Sequence, residues 1–521
     1  MNKKYYILIF SVAILLYNKS LSQNNTPINY HQHIAPIMQK HCIACHKTGG
    51  IAPFQLTNYT SVADKAYVIR SVTESKYMPP WKPDPHCSNI PFIGKNTLNK
   101  QEIDLIQKWI GLGLPEGHLQ TPITKVIYSK EIKYDTTFCM EEYFIHKGDN
   151  TDANYVFVFK DVFHENTKIA AIEFVPDNTN IVHHCFIGYD TSLLARQLDQ
   201  NSKQYGYNSD RKGDGSGLFG KESNRIPIIG TWVPGNYNFV LPYNFYIEVP
   251  AADILVGVHY GPTPINQKDK SCVKLKMANP KANRKVNIFH MAKKNLRNKK
   301  FEIPPNEKKE FFIEKKINRD ISLLGVFPHM HKVGTLIEVV AATPNKDTIS
   351  LIKISDWDSR WQSFYYYEKL LKIPAGSTII AKGFYNNTSD NPYNPNNPIR
   401  TIIWGGSNDE MLLLELMCTN YQSCDEFRML NTLPETEAID LIANSLSLHQ
   451  VSDNRQLITT CNCQLSKFNI VIYNTNGDIL LNKNTDTNTP VDLTNTKLKN
   501  GIYFINITQG KNTVTKKILL T

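Results

Sequence analysis

Histidine and methionine side chains that could bind a metal recur in apolar stretches of this chain. They stand in the segments NIVHHCFIGYD, ILVGVHYGP, LLGVFPHMHKVG and SNDEM. A buried neutral imidazole must satisfy two ring nitrogens, so five of them in strand-like sequence favour a transition metal as partner. Thioether sulfur is soft and matches Cu(I), so this combination favours copper. The candidate ligands are His183, His184, His259, His329, His331 and Met411.

The spacing of these residues is informative only when they are taken together. A lone buried histidine is more often a core residue with satisfied hydrogen bonds than a metal ligand. His329 and His331 are two residues apart and would share one face of a strand. His183 and His184 are adjacent and would point to opposite faces, unless a bulge re-aims one of them.

The sequence around these positions resembles the copper type II, ascorbate-dependent monooxygenases, the family of peptidylglycine α-hydroxylating monooxygenase and dopamine β-monooxygenase. The resemblance spans about residues 130–430 and keeps all six positions in order. It implies two β-sandwich domains that face each other across a wet cleft, with one copper on each. It implies an electron-transfer copper at His183, His184 and His259. It implies a catalytic, oxygen-binding copper at His329, His331 and Met411.

A c-type haem attachment motif, C-x-x-C-H, runs from Cys42 to His46. Cys42 and Cys45 would form thioethers to the porphyrin, and His46 would bind the iron. The alternative is a redox dithiol followed by a chance histidine. Helical periodicity in YHQHIAPIMQKHCIACH and in LNKQEIDLIQKWIGLGLPEG, with MPPW between them, resembles a small class I cytochrome c. Met78 is the predicted distal ligand, and the competing candidates are Met38, His86, His31, His33 and His41.

The first residues predict export. A basic start at Lys3 and Lys4 precedes an apolar core over residues 5–16 and small residues over 20–22. This pattern predicts a signal peptide over residues 1–22. The apolar run is too short for a comfortable membrane span, so we expect no transmembrane helix in the mature protein.

The cysteine count fits an oxidising compartment. Ten cysteines less the two of the haem motif leave eight, and an even number in an exported chain suggests disulfides. Their connectivity does not follow from spacing. The monooxygenase resemblance implies one pair, Cys139 with Cys272. Cys418 and Cys424 could close a short hairpin.

The formal net charge is +11, and the positive charge concentrates in residues 293–316, KKNLRNKKFEIPPNEKKEFFIEKK. Glutamates interrupt this run, and no nucleic-acid-binding motif is visible, so a nucleic-acid partner is not expected. We expect a solvated inter-domain loop. An acidic partner or a membrane surface is the alternative.

The last segment predicts a separate β module. NIVIYNTNGDILL alternates in polarity and turns at Asn-Gly, and GIYFINITQGKNTVTKKILLT repeats the pattern. It closely resembles the C-terminal sorting domain of the type IX secretion system of Bacteroidota. That implies type IX secretion machinery as a partner and a secreted or cell-surface location. The alternative is an ordinary small β-domain.

The predicted fold class is multidomain and mainly β, with two jelly-roll-like copper sandwiches and a small helical haem domain. A helical stretch is expected in the linker before the tail. The predicted parts are the signal peptide 1–22, a cytochrome c-like domain 23–120, copper β-sandwiches 121–282 and 283–435, a linker 436–460, and a β-sandwich sorting domain 461–521.

These parts predict a secreted dicopper monooxygenase that hydroxylates a C–H bond of a small organic substrate with O2. One haem c would deliver electrons from an external donor, either ascorbate-like or a redox protein. Phe327, Leu413 and Glu415 stand where peptide-hydroxylating relatives use arginine, asparagine and tyrosine, so a neutral or apolar substrate is favoured. The alternatives are a copper and haem electron-transfer or copper-handling protein without hydroxylase activity, and a surface binding module.

Overall fold

The computed structural model describes residues 27–48, 50, 52–118, 132–209, 226–233, 239–405, 409–430, 446–451, 454–459, 468–485, 491–493, 498–509 and 512–520. The predicted signal peptide lies outside these residues. The chain divides into two compact units. The smaller comprises residues 1–81 and 96–130, and the larger comprises residues 82–95 and 131–521.

The smaller unit is helical. A π-helix over Tyr30–Ile34 runs directly into the first α-helix. Asn58 and Asn99 cap two later helices, since each side chain accepts a backbone N–H bond in a capping box. Buried apolar residues of all these helices form one core. The helices are α1 Ala35–His41, α2 Tyr59–Asp64, α3 Ala66–Glu74 and α4 Lys100–Gly111.

The first sandwich of the larger unit pairs two five-stranded sheets. Its elements are β1 Thr136–Cys139, β2 Phe144–His146, β3 Ala153–Phe163, β4 Thr167–Val175, β5 Val182–Asp190, α5 Leu194–Gln200, β6 Tyr207–Asn208, β7 Ile228–Trp232, β8 Phe245–Val249, β9 Ala252–Tyr260, β10 Gln267–Asp269, β11 Cys272–Met277 and β12 Arg284–Lys285. The strand orders are β1-β11-β4-β8-β12 and β6-β3-β9-β5-β7, and β10 pairs with β2. Strand β9 is buried along almost its whole length because β3 and β5 flank it.

The second sandwich pairs two four-stranded sheets. Its strands are β13 Asn287–Met291, β14 Glu302–Ile303, β15 Glu307–Lys316, β16 Ile321–His329, β17 Gly334–Ala342, β18 Thr348–Ile354, β19 Tyr365–Ile373, β20 Thr378–Asn387, β21 Ile402–Ile403 and β22 Leu413–Asn420. The sheet orders are β13-β22-β16-β19 and β15-β20-β17-β18, so β18 and β19 are edge strands. Every residue of β16 is buried, which matches a central core strand.

The two sandwiches share a core. One cluster of buried apolar side chains includes Phe157 and Val256 of the first sandwich together with Phe327 and Met417 of the second. A buried ion pair adds a polar connection, since Arg284 of β12 donates two bonds of 2.8 Å to Asp425. A buried pair of this kind is costly to break, because the remaining charge would have no partner.

The structure corrects two boundaries of the sequence analysis. Residues 82–95, expected in the haem domain, belong to the larger unit. Residues 293–316, expected as a solvated inter-domain loop, contain a 3-10 helix over Lys293–Asn295 and the strand β15. Phe311 and Ile313 are buried there, whereas Glu310, Phe312 and Glu314 on the opposite face are not, so this is an amphipathic strand.

The tail forms small sheets of its own. Its strands are β23 Leu446–Val451, β24 Asn454–Thr459, β25 Phe468–Tyr473, β26 Ile479–Thr485, β27 Val491–Asp492, β28 Gly501–Gln509 and β29 Asn512–Leu520. The main sheet has the order β26-β25-β28-β29, and β23, β24 and β27 form a second sheet. The helical character expected over 436–460 is therefore wrong at 446–451 and 454–459, where two strands pair. The β module begins earlier than the predicted residue 461.

The disulfide that the monooxygenase resemblance implied is present. Cys139 and Cys272 lie directly opposite each other on β1 and β11 and are bonded, with an S–S distance of 1.98 Å. The pair predicted between Cys418 and Cys424 is not formed. Cys418 is a free, buried thiol of β22, whereas Cys424 lies beyond that strand in the 3-10 helix Ser423–Phe427. Within the residues that the structure describes, no helix is both long and apolar enough to span a membrane.

Replacing both Cys139 and Cys272 by serine should destabilise the first sandwich. The bond closes a loop with a sequence separation of 133, so its loss should lower the free energy of unfolding by about 2–5 kcal/mol. Calorimetry of the full chain measures this as a lower midpoint for the sandwich transition. Cys87→Ser removes a free thiol and serves as control, with about 0.5 kcal/mol or less expected. An unchanged midpoint in the double variant would contradict the expectation.

Candidate metal centres

His183, His184 and His259 lie together on adjacent strands of the first sandwich. His259 of β9 lies directly opposite His184 of β5 in the antiparallel register. The register shifts between Val182 and His184, so His183 is an inserted residue. A bulge of this kind re-aims a side chain, and it brings both adjacent imidazoles to the same side of the sheet. We call these residues the three-histidine cluster.

The geometry of the three-histidine cluster suits one metal ion. The centroid of the His259 ring is 5.1 Å from that of His183 and 4.8 Å from that of His184. One nitrogen from each ring lies within 4.8 Å of the others, so the three rings form a group that could hold a metal ion. The Nδ1 atoms of His183 and His184 are buried and have no hydrogen-bond partner among the described residues. Buried nitrogens without partners are what a metal would satisfy.

Asp152 orients the third histidine. Its Oδ1 atom accepts a hydrogen bond of 2.9 Å from Nε2 of His259, so that ring carries its proton on Nε2. The bond from His259 holds the pKa of Asp152 at about 2. The other carboxylate oxygen lies 3.4 Å from Nζ of Lys332, the residue after His331. A carboxylate behind a histidine ligand fixes its tautomer and raises its basicity, which is the arrangement common in metal sites.

Burial keeps the imidazoles of His183 and His184 neutral. It lowers the pKa of His183 to about 4, with a further contribution from His259, and lowers the pKa of His184 well below its usual value. A metal binds the neutral ring, so no proton must leave at neutral pH.

His329 and His331 form a second pair at the end of β16. Their ring centroids are 5.1 Å apart and the rings are perpendicular. Nδ1 of His329 donates to Oε1 of Gln362, and Nδ1 of His331 donates to the carbonyl oxygen of Asp409 at 3.2 Å. Both acceptors place the proton on Nδ1, which directs Nε2 to a metal. Burial lowers the pKa of His329 to about 3, so this ring is neutral as well.

Glu410 connects this histidine pair to Met411. The carboxylate is fully buried and accepts backbone N–H bonds from His331, Val333, Gly334 and Met411. Burial raises its pKa to about 8, and these bonds act in the opposite direction. Met411 is itself buried, and its carbonyl oxygen accepts a bond of 3.0 Å from the hydroxyl of Tyr385. One carboxylate thus fixes the backbone of both predicted ligand segments.

A single aromatic ring lies between the two sets of histidines. The Phe186 centroid is 5.3 Å from the ring of His184 and 5.9 Å from the ring of His329. Phe186 also meets Phe327 edge-to-face at 5.8 Å. Phe186 therefore contacts one imidazole of each histidine set in this structure.

In the smaller unit, the haem motif follows α1. His46 donates from Nδ1 to the carbonyl oxygen of Phe54 at 2.9 Å, which directs its Nε2 outward as a ligand. Cys42 and Cys45 are free, half-buried thiols, available for thioether bonds. Tyr67 and Val68 of α3 are 74% and 50% exposed, an apolar surface that a porphyrin could cover. These residues fit a haem c.

The contacts of the competing distal ligands favour Met78. Both ring nitrogens of His41 have partners, Asn96 at 2.7 Å and Glu102 at 3.1 Å. The ring of His33 accepts a bond from the backbone N–H of Asn29, and Nε2 of His31 lies 3.5 Å from Glu116. Met38 is buried in the helical core. Met78 is half-buried just beyond α3.

Sequence reasoning did not find four residues that support these sites: Asp152, Phe186, Gln362 and Glu410. Glu410 directly precedes Met411, and that adjacency was a usable signal. Nothing in the sequence distinguishes Asp152 or Gln362 from other polar loop residues, because the fold alone brings them to a histidine.

A family model described as the secretion system C-terminal sorting domain matches residues 454–521. The tail is therefore a sorting domain of the type IX secretion system, as predicted, and its presence implies export to the cell surface or beyond. The match begins at β24, seven residues before the predicted start. No curated protein matches the chain.

Solved structures share little with this chain. A β-glucuronidase of Ruminococcus gnavus is 10% identical over 42% of this chain and 36% of its own, with a TM-score of 0.13. PNGF-II is 10% identical over 52% of this chain and 61% of its own, with a TM-score of 0.22. The chain thus spans about a third of the glucuronidase. Neither likeness bears on function.

Asp152→Asn should weaken copper binding at the three-histidine cluster. The amide cannot accept the His259 proton as strongly, so we expect an affinity loss of about 10–100-fold. Competition titration against a Cu(I) chelator measures it. Asp149→Asn makes the same charge change at an exposed carboxylate that bonds Thr151, and it should leave the affinity unaltered. Equal affinities for both variants would rule out a role for Asp152.

Met78→Ala should lower the midpoint potential of the haem, because a thioether ligand raises it. The absorption band of the methionine–iron(III) bond should disappear with it. Met38→Leu serves as control, since this substitution conserves the core and should leave the haem spectrum intact. If the band is lost in Met38→Leu and kept in Met78→Ala, Met38 is the distal ligand.

Proposed function

We propose that this chain is an exported copper monooxygenase that hydroxylates a C–H bond of a small organic substrate with O2. One observation carries the proposal: five partly or fully buried imidazoles form two neighbouring groups, and the second group shares Glu410 with Met411. Histidine alone and histidine with thioether are two different copper environments.

The three-histidine cluster would hold one copper, and His329, His331 and Met411 would hold the other. Copper at these positions supplies one-electron chemistry, and at the second set it supplies reactivity toward O2. C–H hydroxylation consumes two electrons from a donor, and one atom of O2 leaves as water. Two sites that each handle one electron match this requirement.

The protein's own residues prepare both sites. Asp152, Gln362 and the Asp409 carbonyl each hold one ring proton, so the opposite nitrogen of each imidazole is directed to the ion. Glu410 fixes the distance between the backbones of the histidine and methionine segments. Phe186 contacts one imidazole ring of each histidine set. None of these groups needs to move for the ligands to be in place.

Electrons would reach the copper sites from a haem c on the same chain. Cys42 and Cys45 would attach it, and His46 and Met78 would bind its iron. A c-type haem transfers one electron at a time. Tethering the donor to the enzyme raises its effective concentration without tight binding. An external ascorbate-like compound or redox protein would reduce the haem.

The substrate is proposed to be neutral or apolar. Phe327 is 1% exposed on the sheet face of His329, in the position where peptide-hydroxylating relatives use arginine. Glu415 lies opposite Phe327 on the neighbouring strand β22. Its carboxylate pairs with Nδ1 of His290 at 3.0 Å. A buried acid in this place disfavours a substrate carboxylate.

A second candidate function is copper and haem electron transfer, or copper handling, without hydroxylation. The contact of Phe186 with both histidine sets favours it, because a single aromatic ring connects the two sets directly.

Oxygen consumption separates the two candidates. The copper- and haem-loaded protein, supplied with a reductant and a panel of neutral C–H compounds, should consume O2 in proportion to hydroxylated product. His331→Ala should abolish product formation and should retain the copper of the three-histidine cluster. His164→Ala is a matched control, because it removes an exposed imidazole of the first sandwich outside both ligand sets. Oxygen uptake that no compound in the panel accelerates would favour the electron-transfer candidate.

A further inference from the structure

Residues 82–95, here called the strap, lie along both sheets of the second sandwich. The backbone N–H of Asp84 donates to the carbonyl of Lys353 in β18 at 2.8 Å. Farther along, the N–H of Ile93 donates to the carbonyl of Tyr366 in β19 at 2.8 Å. Because β18 and β19 are the exposed edges of their sheets, the strap covers groups that would otherwise be open to pairing.

Apolar packing holds the strap in place. Phe92 stacks on Tyr367 with ring centroids 5.1 Å apart, and Ile90 and Ile93 are buried beside it. Burying three such side chains contributes on the order of 5 kcal/mol, far more than a surface ion pair. The strap is therefore a fixed part of the sandwich and not a loose linker.

The first residues of the strap hold the loop that follows β18. Oδ1 of Asp84 accepts the N–H of Ser355 at 3.0 Å, and Oδ2 accepts its hydroxyl. Lys82 lies 2.8 Å from Asp356 and 3.9 Å from Asp358. We call residues 355–363 the bridging loop.

The bridging loop reaches the second histidine set. Asp358 binds Arg360 through two bonds of 2.8 and 2.7 Å. Gln362 is 4% exposed, accepts the ring proton of His329, and donates to the carbonyl of Ser359 at 2.6 Å. Contacts therefore run without a break from Lys82 and Asp84 to an imidazole of the second copper site.

Both ends of the strap continue into the haem-binding segments. Met78 precedes Lys82 by four residues. Asn96 follows the strap directly, and its side chain bonds the ring and the carbonyl of His41 at 2.7 and 3.1 Å. His41 is the residue before Cys42. One predicted haem ligand thus lies four residues before the strap, and the residue after the strap hydrogen-bonds the residue that precedes Cys42.

We propose that the strap and the bridging loop are the electron-entry connection of this protein, and that electrons from the haem enter through the loop that holds His329. This inference rests on the proposed function, because it requires the haem and both coppers. A transfer oxidises one ferrous haem to ferric and reduces one Cu(II) to Cu(I), with no bond made or broken. The external donor then returns one electron to the haem. Lys82 and Asp84 are positioning residues in this scheme.

Two variants test the connection, Lys82→Met and Asp84→Asn. Each leaves every proposed copper and haem ligand intact. Lys382→Met is the matched control, since Lys382 forms a similar pair of 2.8 Å with Glu310 on another part of the same sandwich. Stopped-flow absorbance follows oxidation of the pre-reduced haem by Cu(II), without substrate. We expect about a tenfold or greater slowing in both strap variants, unchanged haem and copper content, and an unchanged control.

Hydrogen exchange of the metal-free chain gives a second measurement that needs no activity. The amide of Ser355 should exchange about tenfold faster in Asp84→Asn, because its acceptor is weakened. Lys82→Arg should transfer electrons at the wild-type rate, unlike Lys82→Met. A general loss of folding on substitution of Lys82 would not predict this recovery.

Wild-type transfer rates in both strap variants would overturn the inference, as would unchanged exchange at Ser355. Absence of haem-to-copper transfer in the wild type would overturn it together with the proposed electron supply. A protein that transfers electrons but hydroxylates nothing would refute the proposed monooxygenase alone, since this assay contains no substrate.

Discussion

Burial of uncharged imidazoles is the constraint on which the two histidine groups depend, because it costs free energy when a ring nitrogen has no partner. Burial lowers the pKa of His183 to about 4 and that of His329 to about 3, and Nδ1 of His183 and of His184 has no partner among the described residues. Each unsatisfied buried polar group costs about 1–3 kcal/mol. A domain has a net stability of only about 5–15 kcal/mol, so two such nitrogens are a large fraction of it. A bound metal would remove that cost.

The surrounding fold is organised to hold these rings. The bulge at His183 turns two adjacent side chains to one side of β5. The side chain of Glu410 accepts hydrogen bonds from backbone N–H groups of the loop after β16 and of Met411. The shared core of the two sandwiches sets the approach of His184 and His329 to Phe186. Rigid packing and local polar bonds thus position groups that are far apart in the chain.

The candidate ligands could be predicted from the sequence because histidine is costly in an apolar strand unless its ring nitrogens are bound. The possible bulge at His183–His184 follows from the same pattern, since period-two alternation alone would place the two rings on opposite faces. The tail was predicted from its alternation and Asn-Gly turn. Asp152 and Gln362 could not be found, because only tertiary structure brings a loop carboxylate or amide to a particular ring nitrogen.

The boundaries failed for identifiable physical reasons. Residues 82–95 lack the periodicity of a strand, and their burial comes from Phe92 and the open edges of β18 and β19. The prediction of a solvated loop over 293–316 followed from the charge of that segment. The burial of Phe311 and Ile313, two residues apart, decides its strand structure instead. The segment before residue 461 is apolar enough for either helix or strand, and pairing of β23 with β24 decided the outcome.

Anomalous diffraction at the copper absorption edge, from crystals of the copper-loaded full chain, tests the central claim most directly. The account predicts two separate peaks. One should lie among His183, His184 and His259, and the other should lie beside His329, His331 and Met411. A copper-loaded crystal whose peaks lie elsewhere, or at neither histidine set, would contradict it.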